Sequence, residues 1–350
     1  MKIRNASGSN PVLLDLDAPN QRRPYGASRR WQLFLYRWFG KSPFSATTVV
    51  PVEGARNRTI ADRSFRFGKG DAAVLLIHGL TGTPVEMQRV GQGLAKKGFS
   101  VYGMQLAGHC GNESDLLRTG WRDWYRGVEN AWRDISSRHD DVFVAGLSMG
   151  ALLAMHLSAQ HPGKIRGLGL YSTTLIYDGW AIPKLSFLLP LFLRTPIGER
   201  YRFIENFPYG IKNERLRRVI HASMVSGHSD AVGNLGMTGH SLRELRQLIS
   251  IVKKEMPSIR TPALVLQARD DDVTSPKNAE YLARHLAGPV SVEYLDDCYH
   301  LITIDQQRDD VVGLSAEFFR RCLNRPLPGQ ASGVAVHQPV PARESTGGRR

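Results

Sequence analysis

The chain has 350 residues, 42% of them hydrophobic, which suits one α/β domain with an insertion better than two independent domains. Its net charge of +14 is concentrated at the two ends, since residues 1–70 contain 13 Lys/Arg and 4 Asp/Glu and residues 324–350 contain 4 and 1. The residues between them keep a net charge of only +2, which excludes a strongly basic nucleic-acid groove on the folded body.

Both ends of the chain have the composition of extensions. Residues 1–28 are rich in Pro, Asn, Ser and Arg without a sustained period, and residues 324–350 contain no aromatic residue, so we predict disorder in both. Within residues 29–41, four apolar side chains follow the i, i+3, i+4, i+7 spacing of one helical face: Trp31, Phe34, Leu35 and Trp38. This stripe fits an amphipathic helix on an anionic membrane, and it also fits a short helix packed on the protein's own surface.

No apolar run approaches the roughly 20 residues that a membrane-spanning helix needs, and the N-terminus lacks the apolar core of a secretory signal. We therefore expect a cytoplasmic protein, peripheral to the inner membrane if residues 29–41 bind lipid. Three widely spaced cysteines match neither a disulfide framework nor a zinc pattern and fit a reducing compartment: Cys110, Cys298 and Cys322.

The main domain, residues 46–323, opens with an alternating stretch at 46–67 that predicts an antiparallel hairpin or meander. The apolar strand at 74–77 then ends in the turn His78-Gly79-Leu80-Thr81-Gly82. A turn of this HGxxG form can present a backbone N–H to a serine nucleophile, and we assign this oxyanion donor to Leu80. His78 and, further on, His109 are assigned to loop structure.

An alternation of helices and strands follows, with a helix over 85–97 and a strand over 99–102. Four apolar residues then lie on one face of the next predicted helix: Trp121, Trp124, Val128 and Trp132. A stripe at this spacing is typical of a helix that covers a sheet.

The pentapeptide Gly146-Leu147-Ser148-Met149-Gly150 follows an apolar run at 142–145 and precedes a stretch that favours helix. This pattern predicts the strand, sharp turn and helix of a nucleophile elbow, with Ser148 at its apex. The two glycines remove Cβ atoms that would collide where the helix crosses the strand. Met149 N–H would supply the second oxyanion donor.

The regular alternation lapses between about residues 172 and 256. This stretch contains an apolar run with two prolines at 180–193 and helical patterns at 214–224 and 241–252. Because it is inserted between core strands, we predict a cap over the active site. The apolar run fits a lid that lines an acyl pocket, and a cap that buries only its own core would look similar.

Regularity returns with a strand at 262–266, which is followed by three consecutive carboxylates, Asp270, Asp271 and Asp272. A helix at 276–286, a strand at 290–295, a loop that carries His300 and a helix at 306–322 complete the domain. The chain order of serine, acid at a strand end and histidine after the following strand is one in which catalytic triads occur.

Four motifs, HGLTG, GLSMG, ARDDDVTSP and DCYHLITID, together resemble the α/β-hydrolase superfamily, and within it the bacterial carboxylesterase and monoacylglycerol-lipase-like branch. The resemblance covers roughly residues 70–323. It implies a mostly parallel central sheet with helices on both faces and an inserted cap. In that family the acid lies five residues before the loop proline, which corresponds to Asp271. One departure is Tyr299, which precedes the histidine where the family usually has Gly.

The acid and the base remain a choice among candidates. Asp271 is preferred by loop position, and the alternatives are Asp270, Asp272 and Asp178, since neighbouring carboxylates also serve in solvated turns and helix caps. His300 is preferred as the base because it combines a strand end, a loop and the required order. The weaker candidates lie in the cap: His221, His228 and His240.

These assignments predict a serine hydrolase that cleaves carboxylic esters, including lipid-derived, monoacylglycerol-like esters, through an acyl-enzyme on Ser148. An acyltransferase or thioesterase would use the same triad, and a non-catalytic membrane-associated scaffold would account for the basic aromatic N-terminus. Neither an HExxH motif nor a phosphate-binding glycine loop is present, so we expect no metal and no cofactor. The expected partner is a small-molecule or lipid ester.

Overall fold

The computed structural model describes residues 45–46, 60–182, 188–204, 207–225 and 236–324. The predicted helix at 29–41 and the tail beyond residue 324 lie outside these ranges. Among the described helices, none has both the length and the apolar character needed to cross a bilayer.

Ten strands occur in the described residues: β1 (Ser45–Ala46), β2 (Phe65–Phe67), β3 (Ala73–Ile77), β4 (Ser100–Met104), β5 (Val142–Leu147), β6 (Leu168–Tyr171), β7 (Arg202–Ile204), β8 (Gly236–Thr238), β9 (Ala263–Ala268) and β10 (Val290–Leu295). Seven of them form the main sheet in the order β10-β9-β6-β5-β3-β4-β2. All its pairs are parallel except that of β2 with β4. The mostly parallel central sheet expected from the sequence is confirmed.

The helices of the described residues are α1 (Val85–Lys96), α2 (Glu113–Leu117), α3 (Trp121–Ser136), α4 (Met149–Gln160), α5 (Leu189–Phe192), α6 (Pro196–Arg200), α7 (Glu214–Val225), α8 (Gly239–Glu255), α9 (Lys277–His285) and α10 (Arg308–Leu323). Apolar residues of α1 and α10 pack on one face of the main sheet, and those of α3, α4 and α9 pack on the other, where α8 packs in turn on α4. Helices therefore cover both faces, as predicted.

Strand β3 shows why the central strands are apolar throughout. Val74 and Leu76 belong to the core under α1 and α10, whereas Leu75 and Ile77 belong to the core under α3 and α4. All four are completely buried. A strand that is covered on both faces has no position for a polar side chain, so its sequence does not alternate. On α3 the predicted tryptophan stripe is buried against this sheet, which confirms its role in the core.

The hairpin or meander predicted for residues 46–67 falls largely on residues 47–59, which lie outside the described residues, and it stays a prediction. Of the described parts, β2 pairs antiparallel with β4. Ser45 and Ala46 of β1 pair with Ile204 and Phe203 of β7, far along the chain. Alternating hydrophobicity indicates an extended segment with one buried face, but it does not specify which strand lies beside it.

The segment between β6 and β9 contains α5, α6, β7, α7, β8 and α8. β7 and β8 form a small antiparallel sheet with β1, in the order β1-β7-β8. The segment predicted as a cap therefore shares a sheet with a strand that precedes the whole core.

Candidate active site

Ser148 occupies the sharp turn between β5 and α4. Its backbone angles, φ 56° and ψ −111°, are strained for a residue with a side chain. A Cβ atom on Gly146 would overlap the carbonyl carbon of Gly150, and one on Gly150 would overlap the carbonyl oxygen of Ile77. The two glycines thus allow α4 to cross closely over the sheet, and this crossing holds Ser148 at the apex of the turn.

His300 and Asp271 form a buried pair. Nδ1 of His300 lies 2.9 Å from Oδ2 and 3.0 Å from Oδ1 of Asp271. Four other groups donate to the same carboxylate: Val273 N, Thr274 N, Thr274 Oγ1 and Gln267 Nε2, at 2.8–3.0 Å. Because Nδ1 faces a carboxylate acceptor, the neutral ring carries its proton there and leaves Nε2 as a proton acceptor.

The nucleophile candidate has a hydroxyl neighbour that the sequence analysis did not single out. Oγ of Ser148 and Oγ1 of Thr174 are 2.7 Å apart and hydrogen-bonded, and Thr174 is completely buried just after β6. Ser148 and His300 line the same cavity.

The turn that carries Leu80 is fixed by a neutral histidine. His78 Nδ1 donates to Gly79 O at 2.8 Å, and Leu106 N donates to His78 Nε2 at 3.2 Å. Burial, together with the nearby His109, lowers the pKa of His78 well below its ordinary value, as this pairing of donor and acceptor requires. His78 therefore has the loop role predicted from the sequence.

Leu80 lines the cavity beside Ser148, and Met149 is the first residue of α4. Within the described part of the chain, neither Leu80 N nor Met149 N donates a hydrogen bond to another residue. The first N–H groups of a helix have no intrahelical acceptor, so Met149 N–H is available to a ligand at Ser148.

The other carboxylate candidates have different partners. Asp270 is exposed and faces Lys212 Nζ at 3.4 Å. Asp178 accepts hydrogen bonds from Ser275 N and Oγ and from Asn278 Nδ2, at the start of α9. The carboxylate that lies against His300 Nδ1 is that of Asp271.

The other histidine candidates also lie elsewhere. His221 is exposed and stacks on Tyr209, with ring centroids 5.2 Å apart. His240 Nε2 is hydrogen-bonded to Thr119 O at 3.1 Å. His228 lies outside the described residues.

Asp272 connects the histidine loop to the segment between β6 and β9. Its Oδ1 accepts from His300 N at 3.3 Å and its Oδ2 accepts from Gly210 N at 3.0 Å. Leu301 N donates in turn to Gly210 O at 2.8 Å. Burial raises the pKa of Asp272, and the neighbouring Asp271 adds to the effect. Together these hydrogen bonds form a bridge that holds the main chain of His300 against residues 207–213.

Asp305 reinforces this connection from the other side of the loop. It is completely buried and accepts three backbone N–H groups, those of Tyr299, Lys212 and Asn213, at 2.7–3.0 Å. Tyr299 N–H is thus satisfied at the position where the resembling family usually has Gly. The loop is held by hydrogen bonds to its backbone.

A cavity of about 640 Å³ adjoins Ser148 and His300, within the size range of small-molecule sites. The segment between β6 and β9 contributes an apolar wall of Tyr177, Ile182, Leu216, Ile220 and Met237. The helix α1 contributes polar side chains, Gln88, Arg89 and Gln92. No group of three or more His, Cys, Asp or Glu side chains in the described ranges is arranged to hold a metal ion.

Comparisons with known proteins agree with this geometry. The family model described as Serine aminopeptidase, S33, matches residues 68–307. A thermostable monoacylglycerol lipase of Bacillus sp. (strain H-257) is 28% identical over 253 residues, which cover 72% of this chain and 92% of the relative. A carboxylesterase of Bacillus subtilis (strain 168) is 23% identical over 261 residues, covering 72% and 94%.

Solved structures show the same fold. The monoacylglycerol lipase of Paleococcus ferrophilus superposes with a TM-score of 0.61 at 17% identity, covering 75% of this chain and 99% of its own. A soluble variant of the monoglyceride lipase of Saccharomyces cerevisiae gives a TM-score of 0.62 at 16% identity, covering 81% and 99%.

Proposed function

The chain belongs to the α/β-hydrolase family described as Serine aminopeptidase, S33, and from this premise we propose that Ser148, His300 and Asp271 are the catalytic triad of a carboxylic ester hydrolase. Its relatives that are named monoacylglycerol lipase and carboxylesterase support hydrolysis of esters. The observation that carries the triad is the buried contact of His300 Nδ1 with both oxygens of Asp271, beside the cavity that contains Ser148.

The proposed reaction begins with proton transfer from Ser148 Oγ to Nε2 of His300 as Oγ attacks the ester carbonyl. Asp271 holds the ring in the Nδ1–H tautomer and stabilises the imidazolium that forms. The four other groups that donate to Asp271 fix its carboxylate, and the fixed carboxylate in turn holds the imidazole ring of His300 in one orientation.

The charge on the carbonyl oxygen is stabilised in this proposal by the N–H groups of Leu80 and Met149. Removing one such donor typically costs about 10²–10³ in rate, because the donors are in place before the charge develops. Collapse of the tetrahedral intermediate expels the alcohol, which takes the proton from His300. Water, activated by the same histidine, then releases the acid from the acyl-enzyme.

We further propose that the substrates are lipid-derived esters of the monoacylglycerol kind. The wall made by the segment between β6 and β9 is apolar, and burial of an alkyl chain there would contribute about 0.8 kcal/mol for each CH₂ group. The cavity of about 640 Å³ can take such a chain together with the ester.

Replacement of the nucleophile tests the proposal. Ser148→Ala should abolish hydrolysis of p-nitrophenyl esters while circular dichroism and the melting temperature show a folded protein. Ser137→Ala is the matched control, because this serine is exposed and its hydroxyl donates to Asp134 O at the end of α3, away from the cavity. Undiminished turnover by Ser148→Ala would reject the assignment.

We also propose that residues 29–41 make peripheral contact with an anionic membrane. The support is the sequence alone, in which Arg and Lys flank an apolar stripe, and these residues lie outside the described ranges. Deletion of residues 1–44 should weaken co-sedimentation with phosphatidylglycerol vesicles and leave hydrolysis of short esters in solution unchanged. Equal vesicle binding with and without the segment would contradict this contact.

A further inference from the structure

One end of the active-site cavity lies between α1 and the start of α10. Val85, Gln88, Arg89 and Gln92 of α1 line it, and their spacing places them on one helical face. From Val85 to Gln92 the helix rises about 10 Å. This wall therefore begins beside the turn that carries Leu80 and extends away from it, and its last members, Arg89 and Gln92, are exposed.

The facing wall comes from the histidine loop and α10. It consists of Leu301, Ile304 and Arg308, which are apolar near His300 and cationic at the far end. Each wall therefore has an apolar residue nearer the reacting groups, Val85 on α1 and Leu301 on the histidine loop, and a guanidinium further along.

The packing of α1 against α10 places Arg89 and Arg308 at the same height along the two helices. A Cβ atom on Gly93 would lie 2.6 Å from the methyl groups of Val312, so α1 and α10 are in close contact there. Further along both helices, Arg320 Nη2 donates to Lys97 O at 2.7 Å, which shows that the helices run in the same direction. Arg89 and Arg308 each lie one turn before the Gly93–Val312 contact.

Neither arginine has an ionic partner among the described residues. Arg308 Nη1 donates to the carbonyl oxygen of Asp305 at 3.0 Å, and Arg89 makes no hydrogen bond or ion pair in the described ranges. By contrast, three arginines on the outer surfaces of helices pair with a carboxylate four residues earlier, in Arg133–Glu129, Arg284–Glu280 and Arg321–Glu317. Two like charges at one end of a cavity repel each other, and an anion between them would remove that cost.

The nearby carboxylates do not neutralise this pair. Glu86, one turn before Arg89, accepts from Gly79 N at 3.4 Å and lies against Gly82, on the side of the oxyanion turn. Asp272 is engaged with Gly210 N and His300 N. The two guanidinium groups are consequently the charged groups that face the mouth of the cavity between α1 and α10 in the described residues.

We propose that Arg89 and Arg308 bind an anionic group, a carboxylate or a phosphate, which the ester substrate carries at the end of the cavity between α1 and α10. Guanidinium groups suit this role because they stay charged and bind such anions through two parallel hydrogen bonds. The inference deepens the proposed function and rests on it. The anion can belong to the acyl part, as in a half-ester of a dicarboxylic acid, or to the alcohol part, as in an acylglycerol phosphate.

Kinetics with matched esters test the inference and separate the two sources. Lauroylglycerol phosphate is compared with monolauroylglycerol, and the p-nitrophenyl half-ester of sebacic acid with p-nitrophenyl decanoate. We expect the wild-type protein to favour the anionic member of at least one pair by about tenfold in kcat/KM, the factor that 1.4 kcal/mol gives. Added salt should reduce the preference, because it screens exposed charges. No preference in either pair would overturn the inference.

Variants assign the preference to the two arginines. Arg89→Gln and Arg308→Gln should each lower the preference for the anionic ester, taken as the ratio of kcat/KM for the anionic ester to kcat/KM for the neutral ester in the same variant. Lys at either position should restore part of this ratio. Arg321→Gln is the matched control, because it lies on α10 outside the cavity and pairs with Glu317. An unchanged preference in the double Gln variant would exclude the arginines.

Binding without turnover distinguishes failure of this inference from failure of the proposed function. Calorimetry on the Ser148→Ala protein compares decyl phosphate with decanol. Tighter binding of the phosphate that is lost in the double Gln variant supports the site even if no ester is hydrolysed. Equal binding of the two compounds contradicts the site even if neutral esters are hydrolysed.

Discussion

Thr174 Oγ1 is the hydrogen-bonding partner of Ser148 Oγ, at 2.7 Å. If Thr174 donates this bond, the hydrogen of Ser148 stays free for Nε2 of His300, and the threonine acts as a positioning residue. We predict that Thr174→Val, which keeps the shape of the side chain, lowers kcat about tenfold, since one such bond is worth about 1–1.5 kcal/mol. KM should stay unchanged.

Steady-state kinetics with a p-nitrophenyl ester measure this effect. Thr174→Ser restores the hydroxyl and should recover most of the lost kcat. A higher kcat in Thr174→Val would mean that the threonine instead draws the serine hydroxyl away from His300, which contradicts the positioning role.

Asp271 and Asp270 are adjacent in sequence but differ in environment. Asp271 is buried against His300, whereas Asp270 is exposed beside Lys212. We predict that Asp271→Asn lowers kcat by about 10⁴, because an amide cannot hold the ring in the required tautomer. Asp270→Asn should change kcat by less than about twofold, since exposed ion pairs contribute little. Similar losses in both variants, from stopped-flow or plate assays, would contradict the choice of acid.

Sequence motifs located the candidate nucleophile, base and acid because each sits at a strand end in a fixed order. Thr174 and Gln267 carry no such signal, since a Thr after one strand and a Gln near the end of another are common. The contact of Thr174 with Ser148 arises from the parallel pairing of β5 with β6, in which Leu147 lies opposite Tyr171. Gln267 contacts Asp271 because the loop after β9 turns back on the end of its own strand. A register between distant strands cannot be derived from local pattern.

Among the elements, α1 and α10 depend on one glycine for their close approach. Gly93→Ala would place a methyl group 2.6 Å from the methyl groups of Val312. Overpacking typically costs about 1–3 kcal/mol, which exceeds the roughly 1 kcal/mol that Ala gains over Gly in a helix. We therefore predict that the free energy of unfolding falls by about 1 kcal/mol in Gly93→Ala.

Gly313, on α10, is the matched control, because a Cβ atom there would meet nothing within 4 Å. Gly313→Ala should raise the free energy of unfolding by about 0.5–1 kcal/mol. Urea titration measures both variants. Stabilisation by both substitutions would show that α1 and α10 are less closely packed than described.

Element type was more accessible from the sequence than element pairing. Apolar runs predict the strands of the main sheet, and 3.6-residue periodicity predicts the helices α1, α3 and α10. The pairings of β2 with β4 and of β1 with β7 join segments far apart in the chain, and the alternating pattern at 46–67 does not specify them. The bridge from Asp272 to Gly210 also has no local signature, because it links two loops that are 62 residues apart.

At the scale of the whole molecule, buried neutral histidines make stability depend on pH. Burial lowers the pKa of His109 from 6.5 to about 4, against smaller opposing effects of backbone hydrogen bonds, and burial lowers that of His78 as well. Between pH 6.5 and about 4 the unfolded chain binds protons that the folded chain does not, so this contribution is complete above pH 6.5 and decreases as the pH falls.

We predict that the free energy of unfolding of His109→Gln falls less steeply than that of the wild-type protein as the pH is lowered from 6.5 to about 4. The difference in slope should be about one bound proton, or about 1.4 kcal/mol per pH unit. The residual slope belongs to His78 and the other titrating groups. Urea unfolding at a series of pH values from 7 to 4 measures the slopes. Equal slopes of the free energy of unfolding against pH in the wild-type protein and the variant would show that His109 is protonated in the folded state over this range.

The most direct measurement for the whole account is labelling with a fluorophosphonate, followed by peptide mass spectrometry. This reagent reacts with serine hydroxyls that are activated by a neighbouring base and oriented to an oxyanion site. We expect one adduct per chain, on Ser148, with labelling slowed by orders of magnitude in His300→Ala. A folded protein that takes up no label, or takes it up on another residue, would contradict it.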